Sequence, residues 1–463
     1  MPRYRGPGPH RHQRGMLTLE QLRVEAGEEK IDTVVLAFTD MQGRLQGKRL
    51  SAEFFLDEVA EQHCEGCSYL LAVDVEMNTV DGYAMSSWDR GYGDFTLVPD
   101  LATLRRVPWQ AATAMVIADL AWPDGTPVPA SPRQILKAQV QRLAERGWSA
   151  MVGTELEFIV YSDSYEQAAA KAYRGLVPAS LYNVDYSILG TARTEPLLRR
   201  IRNEMAGAGL QVESSKGECN LGQQEIAFRY ADAVTTCDNH SIYKTGAKEI
   251  AAQEGSSITF MAKPNAREGN SCHIHLSVRD LDTVPVLAGQ GPHGLSGLGE
   301  QFLAGQLAAM REFTLCYAPN VNSYKRYVPG SFAPTSVRWG PDNRTCALRL
   351  VGKGAALRAE NRVPGGDVNP YLAVAAMIAA GLHGIDNELP LEPPAEGNAY
   401  LDTSARVPHT LRDALGLWRE SDLARRAFGT EVVQHYGNYA SVELAAYDAA
   451  VTDWELRRCF ERL

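Results

Sequence analysis

The sequence predicts an α+β protein of two domains, and three observations carry that expectation. Short strands and loops fill the chain as far as TAMVIADLAW, which ends at Trp122. The segment WPDGTPVPASP, dense in Pro and Gly, then places a linker over residues 121–130. From Ser131 onward, helical and strand patterns alternate. The expected division is a basic tail over 1–16, a first domain over 17–120, the linker, and a second domain over 131–463.

In the first domain, IDTVVLAF (31–38) reads as a strand, and Gly43 and Gly47 in FTDMQGRLQGKRL offer turn or bulge positions beside a basic strand. In the second, Ser131 is a good N-cap and Pro132 suits the first helical position. Ile135, Leu136, Val140 and Leu143 then make an apolar stripe closed by Gly147. A second helix starts at Thr194, buries Leu197, Leu198, Ile201 and Met205, and gives way near Gly207 and Gly209 to the strand QVESS. A third, Ala233 to Glu254, precedes the strand SITFMAKP. The Ala-rich run Tyr371 to Leu382 is too short to span a bilayer and reads as a buried helix.

Composition narrows the partners. Lys plus Arg is 46 and Asp plus Glu is 56, and the net charge of −10 argues against non-specific nucleic-acid binding and for small-molecule ligands. No membrane anchor is evident. The first fifteen residues, MPRYRGPGPHRHQRG, are basic and Gly/Pro-rich with no apolar region after them, so they read as a disordered tail and Met16 as an alternative start. Only Cys64 and Cys67 of the eight cysteines form a CxxC, weak grounds for zinc, so ordinary reduced cysteines of a cytoplasmic protein are expected.

The chemistry is concentrated in the second domain. In VGTELEFIV (152–160), alternation puts Glu155 and Glu157 on one face and Val152, Thr154, Leu156 and Phe158 on the other. Two carboxylates side by side in a partly dry site require either a proton or a cation between them. In SKGECNLGQQEIAFRY, Gly222 permits a reversal that would bring Glu218 and Glu225 to one end of a hairpin; two solvated surface glutamates are the plainer alternative. NSCHIHLSV places His273, His275 and Ser277 on a polar strand face, either as ligands or as a solvated pair. In LRAENRVPGG, Arg358, Glu360 and Arg362 share a face, and Arg326, Arg338, Arg344 and Arg349 follow one another within a short span. Planar guanidinium forks suit phosphate and carboxylate ligands. Oxygen donors with an occasional imidazole favour Mg2+ or Mn2+ over zinc, and dications facing arginines are what phosphoryl transfer requires.

The motifs GTELEF, GECNLGQQEI, CHIHLS, NSYKRYVPG, DNRTCALR and ENRVPGGDVNPYL stand in this order over roughly residues 30 to 375. In these the chain resembles the glutamine synthetase superfamily. The resemblance implies an N-terminal β-grasp domain, a catalytic α/β domain with a curved antiparallel sheet, and a homo-dodecamer of two hexameric rings with sites at subunit interfaces. It implies a first metal on Glu157, Glu218 and Glu225 and a second on Glu155, His273 and Glu360, with two or three Mg2+ or Mn2+ ions per site. Arg326, Arg362 and the backbone at Gly269 would seat L-glutamate, and Arg344 and Arg349 would steady the transferring phosphoryl group. Glu213, His275, Ser277 and Arg358, with Arg344, would contact ATP. The implied reaction is attack of the glutamate γ-carboxylate on ATP, then displacement of phosphate from γ-glutamyl phosphate by an amine.

Departures from the family pattern bear on the amine. Members that use ammonium read Gly-aromatic-Glu-Ala-Pro after the NSYKR-type motif, whereas here GSFAP puts Phe332 in place of the proton-accepting glutamate. The Asp-Gly-Ser-Ser motif is replaced by DGYAMSSWDRGYGD, the His-His-Glu motif by Lys216-Gly217-Glu218, and an Asn by Glu268. An alkylamine wants an apolar wall where ammonium wants a carboxylate cage. The changes resemble those of γ-glutamylpolyamine, γ-glutamylethanolamide and γ-glutamylputrescine synthetases, so the expectation is a glutamate–amine ligase of polyamine or ethanolamine-type nitrogen metabolism, with Tyr182 beside the amine. The alternatives are a glutamine synthetase with an unusual flap, an inactive structural relative, and a guanidino kinase.

Overall fold

The computed structural model describes residues 14–463, so most of the expected tail lies outside the described residues. Its last two positions are not tail-like: the Arg106 amide donates to Gly15 O at 2.8 Å, and Met16 forms an antiparallel bridge with Arg105.

The N-terminal sheet holds β1 (Thr33–Thr39), β2 (Leu45–Ser51), β3 (Cys64–Cys67), β4 (Asp94–Pro99), β5 (Arg105–Arg106) and β6 (Thr113–Ala121) in the order β2-β1-β6-β4-β3, with β5 also on β6. β1 and β6 run parallel at its centre and the other pairs are antiparallel, as expected for a β-grasp sheet. The strand expected over 31–38 and the basic strand after Gly43 are β1 and β2. Cys64 and Cys67 are free and, among the described residues, belong to no cluster of metal-ligand type.

The second sheet is built on β7 (Trp148–Tyr161), whose 14 residues are long enough to pair with four neighbours. It is joined by β8 (Val212–Gly217), β9 (Gln223–Phe228), β10 (Ala231–Asp232), β11 (Ser257–Thr259), β12 (Cys272–Asp280), β13 (Trp339–Pro341), β14 (Leu348–Val351) and β15 (Arg358–Asn361). The main order is β13-β14-β15-β12-β7-β9-β8. The expected antiparallel pattern holds except at the rim, where β13 and β14 are parallel. An irregularity between Val212 and Ser214 on β8 adds to the sheet's curvature. SITFMAKP is a strand only over its first three residues: beyond them the Asn270 side chain donates to Thr259 O and Met261 O, and Pro264 has no amide to offer a ladder.

Helices α1 (Pro132–Ala144), α2 (Glu195–Gly207), α3 (Ala233–Gln253) and α4 (Pro370–Asp386) follow the apolar stripes read from the sequence. Ser131 and Thr194 occupy N-cap positions, but neither hydroxyl makes a capping bond; Pro at the first turn sets the helical start instead. α4 is buried along nearly its whole length, which accounts for its uniformly apolar sequence. No helix among the described residues is long and apolar enough to cross a membrane.

One buried guanidinium locks the two sheets' surroundings together. Arg133 on α1 pairs with Asp100 (2.7 Å) and Asp119 (2.6 Å) from the N-terminal sheet region and with Asp238 (3.0 Å) on α3, while Tyr371 of α4 donates to Asp238 at 2.6 Å. The Arg133 and Asp238 side chains are 3% and 2% exposed, so removing either leaves a charge with no water to replace its partner. R133M should therefore cost about 3–5 kcal/mol of stability, measured by denaturant unfolding, with no direct loss from the catalytic cluster.

Candidate active site

Strand register assembles the site. On β7, Glu157 stands opposite Glu225 of β9 and Glu155 opposite His273 of β12. His275 of β12 then faces Glu360 of β15, which faces Arg349 of β14. Five adjacent strands thus deliver four glutamates, two histidines and an arginine to one region of the sheet, because period-two alternation sends every second side chain to the same face. The β8–β9 turn adds Glu218, and Gly222 supplies the φ of +71° that the reversal needs. Both glutamate pairs expected from the sequence are thereby brought together.

They form two groups. Carboxylate oxygens of Glu157, Glu218 and Glu225 lie within 4.8 Å of one another. Glu157 accepts from the Ser271 amide (2.7 Å) and Gln223 Nε2 (3.1 Å), while Lys216 is ion-paired with Glu218 and lies 3.4 Å from Glu225. Burial, with Glu155 and Glu157 close by, pushes the Glu225 carboxyl up to about 8 against the pull of Lys216. A carboxyl that holds its proton near neutrality for want of countercharge fits a cation site.

The second group that meets within 4.8 Å is Glu155, His275 and Glu360, where the resemblance has His273 in place of His275. The hydrogen bonds separate the two imidazoles. Arg358 Nε donates to His275 Nδ1 at 3.1 Å, which assigns the His275 proton to Nε2, 3.0 Å from Glu155. His273 turns Nδ1 to Glu155 (3.4 Å) and Glu360 (3.6 Å), and the buried Nε2 of each ring has no hydrogen-bond partner among the described residues. Burial and Arg362 lower the His273 pKa, so the ring keeps a lone pair for a metal. Burial works to raise Glu155 and Glu360, but His273 and His275, joined at Glu360 by Arg362, outweigh it and hold both carboxyls below their usual range. Carboxylate oxygens in one group, and carboxylate oxygens with imidazole nitrogen in the other, fit hard dications.

The arginines divide. Glu360 is fully buried and receives Arg362 together with Arg349 Nη1 at 3.0 Å; Arg349 also pairs with Asp342 and lines a cavity of about 870 Å³ with His293, Gly352 and Lys353. Arg326, expected to hold a substrate, gives both terminal nitrogens to the backbone, at Val363 O and Arg362 O, each 2.9 Å away, while its buried Nε has no hydrogen-bond partner among the described residues. It positions the Arg362 segment. Gly269 packs against it so closely that an added Cβ would meet Ala262 O at 2.3 Å and Arg326 Cγ at 2.7 Å. Arg344 is exposed and makes no ion pair among the described residues of the cluster, and Arg338 pairs with Glu392 and Asp402.

At the rim, Ser277 and Arg358 border His275, and Glu213 is exposed at the β8 irregularity. Phe332 is 53% exposed at φ +59°, with its carbonyl accepting from Arg362 Nη2 at 3.3 Å. Tyr182 is 52% exposed, and no polar or ring contact among the described residues brings it to the cluster. Asp185 and Tyr186 come instead. Asn183 Oδ1 caps the Asp185 amide at 2.8 Å, a local turn that returns Tyr186 to β8, where its ring centroid is 5.2 Å from Lys216 Nζ. Sequence reading also missed Gln223, whose Nε2 ties Glu157 to Gly269 O and Asn270; its place inside GQQE was the available signal.

The protein-family model described as "Glutamine synthetase, catalytic domain" matches residues 129–459. The chain belongs to the glutamine synthetase family. Members of that family use ATP and divalent metal ions. The chain is 68% identical over 447 residues to the γ-glutamylethanolamide synthetase GlnA4 of Streptomyces coelicolor, covering 96% of each chain. It is 38% identical over 437 residues to a glutamate–isopropylamine ligase of a Pseudomonas species, covering 93% of this chain and 95% of that one. Among solved structures, a GmaS/ADP complex superposes with a TM-score of 0.83 at 28% identity, covering 95% of this chain and 99% of that one.

With the Glu225 carboxyl pushed up to about 8, a dication at this group competes with its proton, so metal binding should strengthen as pH rises towards about 8. The apparent Mn2+ affinity should increase by more than about tenfold between pH 6 and pH 8, and E225Q should flatten that dependence. Calorimetric titration at the two pH values reads it.

Proposed function

We propose ethanolamine as the amine that this glutamate–amine ligase joins to the γ-carboxylate of L-glutamate. The reaction class is ATP-dependent ligation. The observation that carries the choice of amine is Phe332: an exposed aromatic ring stands where ammonium-using members present a carboxylate, and its backbone is tied to Arg362. An aromatic wall favours a substrate with carbons to cover. The 68% identity to a γ-glutamylethanolamide synthetase supports a short amine over a long polyamine.

In this reading Glu157, Glu218 and Glu225 hold one dication and Glu155, His273 and Glu360 another, in the cell Mg2+ or Mn2+. When bound, the ions neutralise phosphate charge. Arg362 and the Gly269 backbone orient glutamate so that its γ-carboxylate meets the γ-phosphoryl group of ATP, and Arg326 fixes the segment that carries Arg362. Arg349 reaches the transferring group from its seat on Glu360 and Arg344 closes over it. Glu213, His275, Ser277 and Arg358 border the nucleotide. The amine then displaces phosphate from γ-glutamyl phosphate beside Phe332. The reading includes a cytoplasmic homo-dodecamer of two hexameric rings, and a catalytic unit that begins after the linker at 121–130.

Phosphate release measured with ATP, glutamate and a panel of ammonium, ethanolamine, putrescine, spermidine and isopropylamine tests the choice. The kcat/KM should be highest for ethanolamine. F332E should lower the ethanolamine-to-ammonium ratio by at least about tenfold, the value of one lost apolar contact set against one gained charge. A wild type that turns over ammonium as efficiently as ethanolamine would sink the assignment.

A further inference from the structure

Lys216 is placed where a metal ligand set closes. It stands on β8 directly opposite Glu225 of β9, its Nζ ion-paired with Glu218 and 3.4 Å from Glu225. The three side chains are only 26%, 15% and 7% exposed, so these charges act on one another with little screening. A second seat for the ammonium is at hand, because the Tyr186 ring centroid lies 5.2 Å from Nζ. At this position the family pattern has a histidine, which is neutral at neutral pH.

We propose that Lys216 is a tethered cation that sets how strongly, and how many times, the first cluster binds a dication. Once a bound dication displaces the Glu225 proton, the three carboxylates carry three negative charges. One dication and one lysine balance them; without the lysine a negative charge remains and draws the dication harder or admits a second. On metal binding the ammonium yields the oxygens of Glu218 and Glu225 and rests on the Tyr186 face. Lys216 acts through Glu218 and Glu225 and is a positioning residue. The inference rests on the assignment of Glu157, Glu218 and Glu225 as metal ligands.

The test is Mn2+ titration of the full-length, nucleotide-free protein by calorimetry, for wild type, K216M, K216Q and K216R. K216M keeps the length of the side chain and removes its charge. Expected are at least about tenfold tighter Mn2+ binding or one additional Mn2+ equivalent in K216M and K216Q, and wild-type behaviour in K216R. Thermal unfolding gives a second readout: Mn2+ should raise the melting temperature of K216M more than that of wild type. K216M and K216Q curves that match wild type in affinity and stoichiometry, or that show weaker binding, would overturn the role of Lys216 alone. A wild type that binds no Mn2+ would overturn the ligand assignment and this inference with it.

Discussion

Repulsion among carboxylates fixed by strand pairing is the constraint from which the rest of this site follows. Residues opposite one another in an antiparallel ladder cannot drift apart, since their separation is set by backbone hydrogen bonds. Glu157 and Glu225 are such a pair, and Glu218 is returned to them by a tight turn. The sheet therefore holds in place a concentration of like charge that solvated side chains would disperse. Stability has to come from elsewhere, and it comes from the long, apolar reverse face of β7 and β12, where Val152, Leu156, Phe158, Cys272, Ile274, Leu276 and Val278 are buried.

The two cation groups are balanced differently. Around Glu360 the countercharge is built in: Arg362 and Arg349 both reach a carboxylate with no solvent access, and two imidazoles stand next to it. The Glu157 group has amide donors and a single lysine. The first arrangement keeps its carboxylates ionised without help, and the second drives one of them to hold a proton. A cation, where the proposed ligand sets hold one, would finish the charge balance of one group and supply most of it in the other.

Much of this was legible in the sequence because local alternation and turn chemistry determine it. The face shared by Glu155 and Glu157, the apolar reverse of the His273 strand, the reversal at Gly222 and the buried helix after Pro370 each depend on a few neighbouring residues. What was not legible depends on partners far away in the chain. Arg358 sits 83 positions from His275, yet its donation to Nδ1 distinguishes the two histidines. The carbonyls that take up both ends of Arg326 belong to a segment 36 and 37 residues further on. Tyr182 and Tyr186 lie on either side of an asparagine-capped turn, and only Tyr186 comes beside Lys216, a placement that composition alone does not orient. The parallel β13–β14 pair and the early end of β11 are likewise decided by tertiary neighbours.

The same long-range bonding connects substrate choice to substrate seating. Phe332 is held through its own carbonyl by Arg362, and Arg362 is held by Glu360 and by the backbone bonds of Arg326. Under the proposed assignment, the residue that walls the amine and the residue that orients glutamate are therefore tied together by one side-chain-to-backbone bond. Exchanging the Phe332 side chain keeps its backbone anchor, because the bond to Arg362 is made by the carbonyl. Under the proposed assignment, a change of amine at this position leaves that backbone tie and the arginines seated on Glu360 in place.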